Sequence, residues 1–577
     1  MKPTEKPAVL SVHDRLPQIE MRVMVVTEGF RCLGYRDAAG AWVTPSRPFA
    51  LKDSIPCSVY VNMKTLLFLH ALGLAVLQTA HGQQRPPPPV QWQRTIGGME
   101  NDILWRIEET RGDGFLLQGP SFSGVGKDRA LPNLGGPFPV VPDLWSVTLD
   151  AQGRILSQSV SDFAPFLPTA DGGVIGRYLN ATNKMSPSLG GNDIWLVRLD
   201  ASGQKVWDRT YGGTGDDRLV SILPAREGGF FVAGTSTSEP GGNKTSPAFG
   251  EPDYWVLRLD ESGNLRWDKS FGGSQADWLH TVQQTRDGGW ILGGISTSFT
   301  DGNKTSPQYS LFGTFDAWLV KLDAGGNKLW ENSYGGTDAD WLQGLLELDE
   351  GGFILVGWTF SRPSGNKTSE DTGGWVIRVD DRGQKMWEET FNAAGVTFGF
   401  TYLSGIQKTF DDGFIIGGQT QFADGLGGFT TDLYALRLDH AGNKLWDLLY
   451  RTGGRDSLAG VQQTRDGGFI IGGSTPTPPV DRPSNDFLVI KLAPEDDDQD
   501  GVPNRVDQCP DTAPGDIVDA SGCSIQQHCP CAGPWRNHAD YVRCVKETAA
   551  RFETAGLISR SENSRLINTA AQSDCGK

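Results

Sequence analysis

From about residue 90 to residue 492, apolar and polar positions alternate in short runs cut by clusters of Gly, Asn and Asp. The whole pattern returns every 57 to 63 residues. Alternation with a period of two marks half-buried strands, and a fixed long period marks a repeat architecture. Each unit predicts four strands. The first follows a Gly-Gly and an Asp, as in Asp277-Trp-Leu-His-Thr-Val-Gln-Gln. The second follows an Asp-Gly-Gly turn, as in Phe230-Phe-Val-Ala-Gly. The third is a Trp-bearing run, as in Trp255-Val-Leu-Arg-Leu. The fourth carries an Asn-Lys-x-Trp element, as in Lys328-Leu-Trp-Glu-Asn-Ser-Tyr. Asp-Gly supplies the positive φ that a tight hairpin turn needs.

The units can be counted in two ways. Asp-Gly-type turns fall at Asp113, Asp171, Glu227, Asp287, Glu350, Asp412 and Asp466. The fourth-strand element recurs near Trp92, Ile155, Trp207, Trp267, Trp330, Trp387 and Trp446. Both counts give seven. The chain enters the array on a fourth strand (Val90–Ile96) and leaves it on a third (Phe487–Leu492). Pairing these two closes a ring and removes two exposed sheet edges. The expected fold is therefore all-β: a seven-bladed β-propeller over residues 90–493, closed by its N-terminal strand. The repeats resemble the delta-60 and quinoprotein-like propeller repeats of exported bacterial proteins, with their Asp-x-Trp…Leu-Asp…Gly…Trp pattern. That resemblance implies a fold, because such rings host many activities.

Charge and cysteine narrow the class. Lys+Arg is 52 and Asp+Glu is 69, a formal net charge of −17. This argues against nucleic acid and anionic membranes as main partners. Gly at 74 residues and 10% aromatics suit many short strands and tight turns. Of eight cysteines, Cys32 and Cys57 precede the repeats and six follow them: Cys509, Cys523, Cys529, Cys531, Cys544 and Cys575. A cysteine-free ring with a cysteine-dense tail predicts disulfide-stapled modules in an oxidising compartment.

Ahead of the ring, Met63-Lys-Thr-Leu-Leu-Phe-Leu-His-Ala-Leu-Gly-Leu-Ala-Val-Leu77 followed by Ala80-His-Gly82 has the form of a secretory signal peptide over residues 63–82. The reading takes Met63 as the initiator and residues 1–62 as an upstream extension of the frame. The other reading of that segment is a small β-rich cap (Met21–Val61). Residues 83–89, with four consecutive prolines, form a stiff linker. No stable membrane span is expected after cleavage.

Two loop sets share one face of the ring and make a candidate binding surface. One carries Asp102, Asp217, Asp277 and Asp340. The other carries Asn-Lys-Thr-Ser with Lys244, Lys304 and Lys367, and Lys184 in the related place. The competing reading is that Asp caps one turn and Asn-Lys-Thr-Ser fills another, repeated because the blade is repeated; it is the preferred one. Trp145, Trp195, Trp255, Trp318 and Trp375 recur at one blade position and are read as packing between blades. No catalytic residues are assigned. The chain lacks Gly-x-Ser-x-Gly, His-Glu-x-x-His and Walker motifs.

Past the ring, Asp496-Asp-Asp498-Gln-Asp500-Gly501-Val-Pro-Asn-Arg-Val-Asp507 places carboxylates at positions 1, 3, 5 and 12 around a Gly at 6. Hard oxygen ligands at this alternation wrap Ca²⁺, and Gly permits the sharp turn. With Gln508-Cys-Pro-Asp-Thr-Ala-Pro-Gly515 following, residues 494–524 closely resemble a thrombospondin type 3 repeat. The resemblance implies calcium as cofactor and Asp496, Asp498, Asp500 and Asp507 as ligands, with Asn504 in place of the usual Asp. An acidic solvated linker is the alternative. Cys509 and Cys523 are expected to pair. Residues 525–577 predict a helical hairpin. Tyr541, Val545, Ala549 and Phe552 share one face, Gly556 stops the first helix, and Ser559-x-x-Glu562 caps a second. Cys529, Cys531, Cys544 and Cys575 leave three pairings open. His528 and His538 nearby would also suit zinc, but two disulfides are preferred.

Together these features predict a secreted or surface-held, monomeric, calcium-binding propeller. Its expected role is non-enzymatic binding or adhesion to a glycan, protein or cell-surface ligand. The alternative is an exported lyase, hydrolase or quinoprotein with its site in the channel.

Overall fold

The computed structural model describes residues 85–577, apart from 135–141, 180–182, 312, 395–398, 424–427 and 478–483. Upstream, in a separate unit, it describes a backbone meander of Val23–Thr27, Phe30–Arg36 and Trp42–Val43. The signal-peptide reading at 63–82 falls outside the described residues.

Seven four-stranded antiparallel sheets form the ring. Blade three is typical: Asp217–Pro224, Phe230–Ser236, Asp253–Leu259 and Leu265–Phe271 pair in that order. The first strands of successive blades contact one another, so they line the channel. Blade seven is composite. Ser457–Gln463, Phe469–Thr477 and Ser484–Leu492 are completed by Val90–Ile96 from the other end of the array. A β-bulge at Arg258/Leu259 marks the third-to-fourth pairing of blade three, and the seam repeats it at Lys491/Leu492. The closing strand thus takes the register that a continuous blade would have.

The recurring tryptophans have two distinct jobs. Those of the third strands are core: Trp145, Trp255, Trp318 and Trp375 are buried, and Trp195 is half-buried. Each buries a large apolar area between blades. Most also place the indole N–H on a fourth-strand acceptor thirteen residues on, such as Asp208 at 2.9 Å from Trp195 and Asp268 at 3.0 Å from Trp255. Those of the fourth strands lie on the next blade. Trp92 packs on Gly153, Trp207 on Gly263, Trp267 on Gly326, Trp330 on Gly383 and Trp387 on Gly442. These glycines have φ between 72° and 90° in the turn joining third and fourth strands. A Cβ there would also collide with the indole, so both the turn and the packing require Gly.

The tail follows the ring. Helix α1 (Ile525–His528), α2 (His538–Thr554) and α3 (Arg560–Gln572) pack around Val545, Ala549, Phe552 and Ala570. Ser559 and Glu562 form the expected capping box. Three disulfides staple the region: Cys509–Cys523, Cys529–Cys544 and Cys531–Cys575. No described helix is long and apolar enough to cross a membrane.

Candidate metal site

The acidic linker turns sharply at Gln499 and Gly501, with φ of 60° and 92°. The turn folds Asp496, Asp498 and Asp500 inward, each offering a carboxylate oxygen within 4.8 Å of the other two. One oxygen of each is tied down by a backbone N–H: Gly501 to Asp496 at 2.9 Å, Thr512 to Asp498 at 2.7 Å and Val502 to Asp500 at 2.8 Å. The other oxygen of each is buried with no hydrogen-bond partner. Three clustered carboxylates, each with a buried unpaired oxygen, are costly without a counter-charge. Burial pushes the Asp496 carboxyl above its ordinary range, and Asp500 and Asp498 add to the rise. The donor set fits a hard divalent cation such as Ca²⁺, which takes six to eight oxygens.

Asp507 does not join this trio. Its Oδ1 accepts from the Cys509 N–H at 2.7 Å, and it abuts Gly522, which also faces Asp500. Asn504 spends its carbonyl oxygen on the Asp497 N–H at 2.8 Å. The neighbouring Asp519 is bound by Ser521 and by His528 Nε2 at 2.7 Å. Burial works to raise its carboxyl, but these partners hold it down at about 2. His538 contacts the Cys575 and Ala571 carbonyls, and all four tail cysteines are in disulfides. Zinc therefore has no thiolate ligands there.

The ring-face candidates are differently placed. Asp102, Asp217, Asp277 and Asp340 are at most 2% exposed. Asp277 Oδ2 accepts from the Gly273 N–H at 2.8 Å and the Ser298 hydroxyl at 2.8 Å, and the other three repeat this arrangement. Lys244, Lys304 and Lys367 are also buried. Lys244 and Lys304 donate to the Ser246 and Ser306 carbonyls at 2.8 Å, and Lys367 to the Ser369 carbonyl. Lys184 lies 3.9 Å from Asp193. Asn243 clamps the adjoining turn through the Gly212 N–H at 3.0 Å and the Thr210 carbonyl at 2.7 Å. The lysines and one oxygen of each aspartate are thus engaged in building the turns, while the other oxygen of Asp102, Asp217 and Asp277 is buried without a hydrogen-bond partner.

One set escaped the sequence reading. At or near the start of third strands lie Asp193, Asp253, Asp316, Asp432 and Asp486, each buried or nearly so. Across the turn glycine they face the first-strand aspartate of the next blade. A Cβ on Gly272 would meet both Asp253 and Asp277; one on Gly335 would meet Asp316 and Asp340. Burial pushes Asp253 and Asp316 up to about 7, and Asp277 and Asp340 to about 6. The Asp of Asp-x-Trp was the available signal, but its partner lies 24 residues away.

No protein-family profile matches the chain. The regulatory protein FlaEY of Caulobacter vibrioides is 25% identical over 181 residues, which is 30% of this chain and 18% of that protein. The chain thus spans under a fifth of that relative's length. Among solved structures, the β-propeller domain of the trilobed protease from Pyrococcus furiosus aligns at 10% identity, covering 67% of this chain and 96% of that one (TM-score 0.34). Pyrococcus horikoshii acylaminoacyl peptidase aligns at 12% identity over 68% and 52% (TM-score 0.34). A glucose dehydrogenase aligns at 14% identity over 58% and 96% (TM-score 0.28). At these values the likenesses add nothing to the ring, which the strand pairing already defines.

Proposed function

We propose that this chain is an exported calcium-binding propeller that works by binding rather than catalysis. The observation that carries the calcium reading is the trio Asp496, Asp498 and Asp500, each with a buried oxygen lacking a protein partner. The thrombospondin type 3 resemblance of residues 494–524 supports it, and it names calcium among the hard cations. Three disulfides in the tail favour an oxidising compartment, in keeping with a secreted or surface-held protein. The binding role is favoured because the recurring Lys of the ring face, and one oxygen of each recurring Asp, are engaged in holding turns. The ligand is a glycan, protein or cell-surface component. Isothermal calorimetry of the full chain with CaCl₂ after chelator treatment tests the metal. A saturable 1:1 heat, lost in Asp498→Asn, is expected; its absence in the unsubstituted chain removes the calcium reading. A glycan array probed with and without Ca²⁺ tests the binding role.

A further inference from the structure

Blade seven lacks a covalent piece that the other blades have. In those blades a short turn joins the third strand to the fourth. The residue after the third strand donates its N–H to the residue before the fourth: Asp260 to Asn264 at 3.0 Å, Asp323 to Asn327 at 2.9 Å, Asp439 to Asn443 at 2.9 Å. At the seam the same bond forms, from Ala493 to Pro89 at 2.9 Å, but no turn connects the two residues. The capping Asp of the other turns is replaced by Ala493, and the glycine that receives the preceding blade's Trp is missing.

The acidic linker occupies that place. Trp446, the fourth-strand Trp of blade six, donates its indole N–H to Glu495 at 2.7 Å. In other blades the Trp donates to a turn carbonyl, as Trp207 does to Glu261 and Trp92 to Ala151. Glu495 also lies 3.3 Å from Arg437, a fully buried side chain of blade six, and its carbonyl receives the Asn504 N–H at 2.9 Å. Asp497, between two members of the carboxylate trio, is ion-paired to Arg85, which lies four residues before Pro89 and five before the closing strand. Arg85 in turn donates its N–H to the Leu445 carbonyl of blade six at 2.8 Å.

We propose that the Asp496–Asp500 loop is a calcium-dependent latch that replaces the missing turn of blade seven, so that cation binding and pairing of the closing strand stabilise each other. The proposal rests on the calcium reading above. Without the cation, three carboxylates within 4.8 Å repel, and the loop that positions Asp497 and Glu495 loosens. With it, two chain segments lacking a covalent link are held in the register of the other blades.

The test is amide hydrogen exchange on the full chain in CaCl₂ and in EGTA, with calorimetric calcium affinity of the native chain and of Arg85→Ala. Chelation should speed exchange in Val90–Ile96 by about tenfold or more and leave the outer strand of blade four, Lys328–Tyr334, unchanged. Because coupling is reciprocal, Arg85→Ala should weaken calcium binding by roughly three- to tenfold. Calcium binding with equal exchange in both media, or with Arg85→Ala binding as the native chain does, overturns the latch and leaves the metal site standing. Absence of calcium binding removes both. The chelation arm needs no substitution, so it remains decisive if Arg85→Ala fails to fold.

Discussion

The aspartates of the ring and those of the linker share a chemistry and differ in what surrounds them. Asp277 sits in a blade junction, fully buried, with one oxygen filled by the Gly273 N–H and the Ser298 hydroxyl. Asp498 sits in a half-buried turn clustered with Asp496 and Asp500, with one oxygen on the Thr512 N–H and the other buried without a partner. In the ring, carboxylates are spread one or two to a junction, where burial raises their pKa values. In the linker, three crowd one small space. A carboxylate's role is thus set by whether its unsatisfied oxygens converge on a common point.

Substitutions should separate the two classes. The largest effect is expected for Asp277→Ala, which strands the donors of Gly273 and Ser298; loss of about 2–4 kcal/mol of stability by chemical denaturation, with unchanged calcium affinity, is the expected outcome. Asp498→Ala should do the reverse: calcium affinity falls by roughly a hundredfold, while stability in EGTA stays within about 1 kcal/mol of the native chain. If Asp277→Ala also abolished calcium binding, the division would fail.

Acidity probes chiefly the ring. Burial raises Asp253, Asp316, Asp277 and Asp340 to about 6–7 in the folded state, above their unfolded values. Such groups contribute stability that is fully present below about pH 4 and lost as pH rises through 6–7. With the metal chelated, the melting temperature should therefore be several degrees higher at pH 5.5 than at pH 8. A flat profile would mean that these carboxyls are ionised and neutralised by Lys304 and its equivalents. The smallest effect is expected for Asn504→Asp. Because Asn504 is occupied with the Asp497 N–H, calcium affinity should change by no more than about threefold in calorimetry.

Much of this architecture was legible in the chain. The short apolar run at Phe230–Phe231–Val232, bounded by Gly turns and buried throughout, reads as a core strand because such a run is set by neighbours in the chain. The closing role of Val90–Ile96 follows from the order of repeat pieces, and the hairpin over α2 and α3 from spacing and a capping box. The burial of Lys304 was not legible, because nothing in Asn-Lys-Thr-Ser tells that the Nζ folds back to the Ser306 carbonyl.

What the sequence by itself determined is whatever depends on neighbours in the chain: seven blades, their turns, the Cys509–Cys523 loop and the alternating carboxylates of the linker. Only the tertiary structure decided what depends on distance in space. It paired Cys529 with Cys544 and Cys531 with Cys575, set Asp253 against Asp277 and left Asp507 out of the trio. It also seated the linker in the gap left by a missing turn, where Glu495 meets Trp446. The reason is that periodicity specifies which face of a strand is buried, whereas the partner buried against it is chosen by closure of the whole ring.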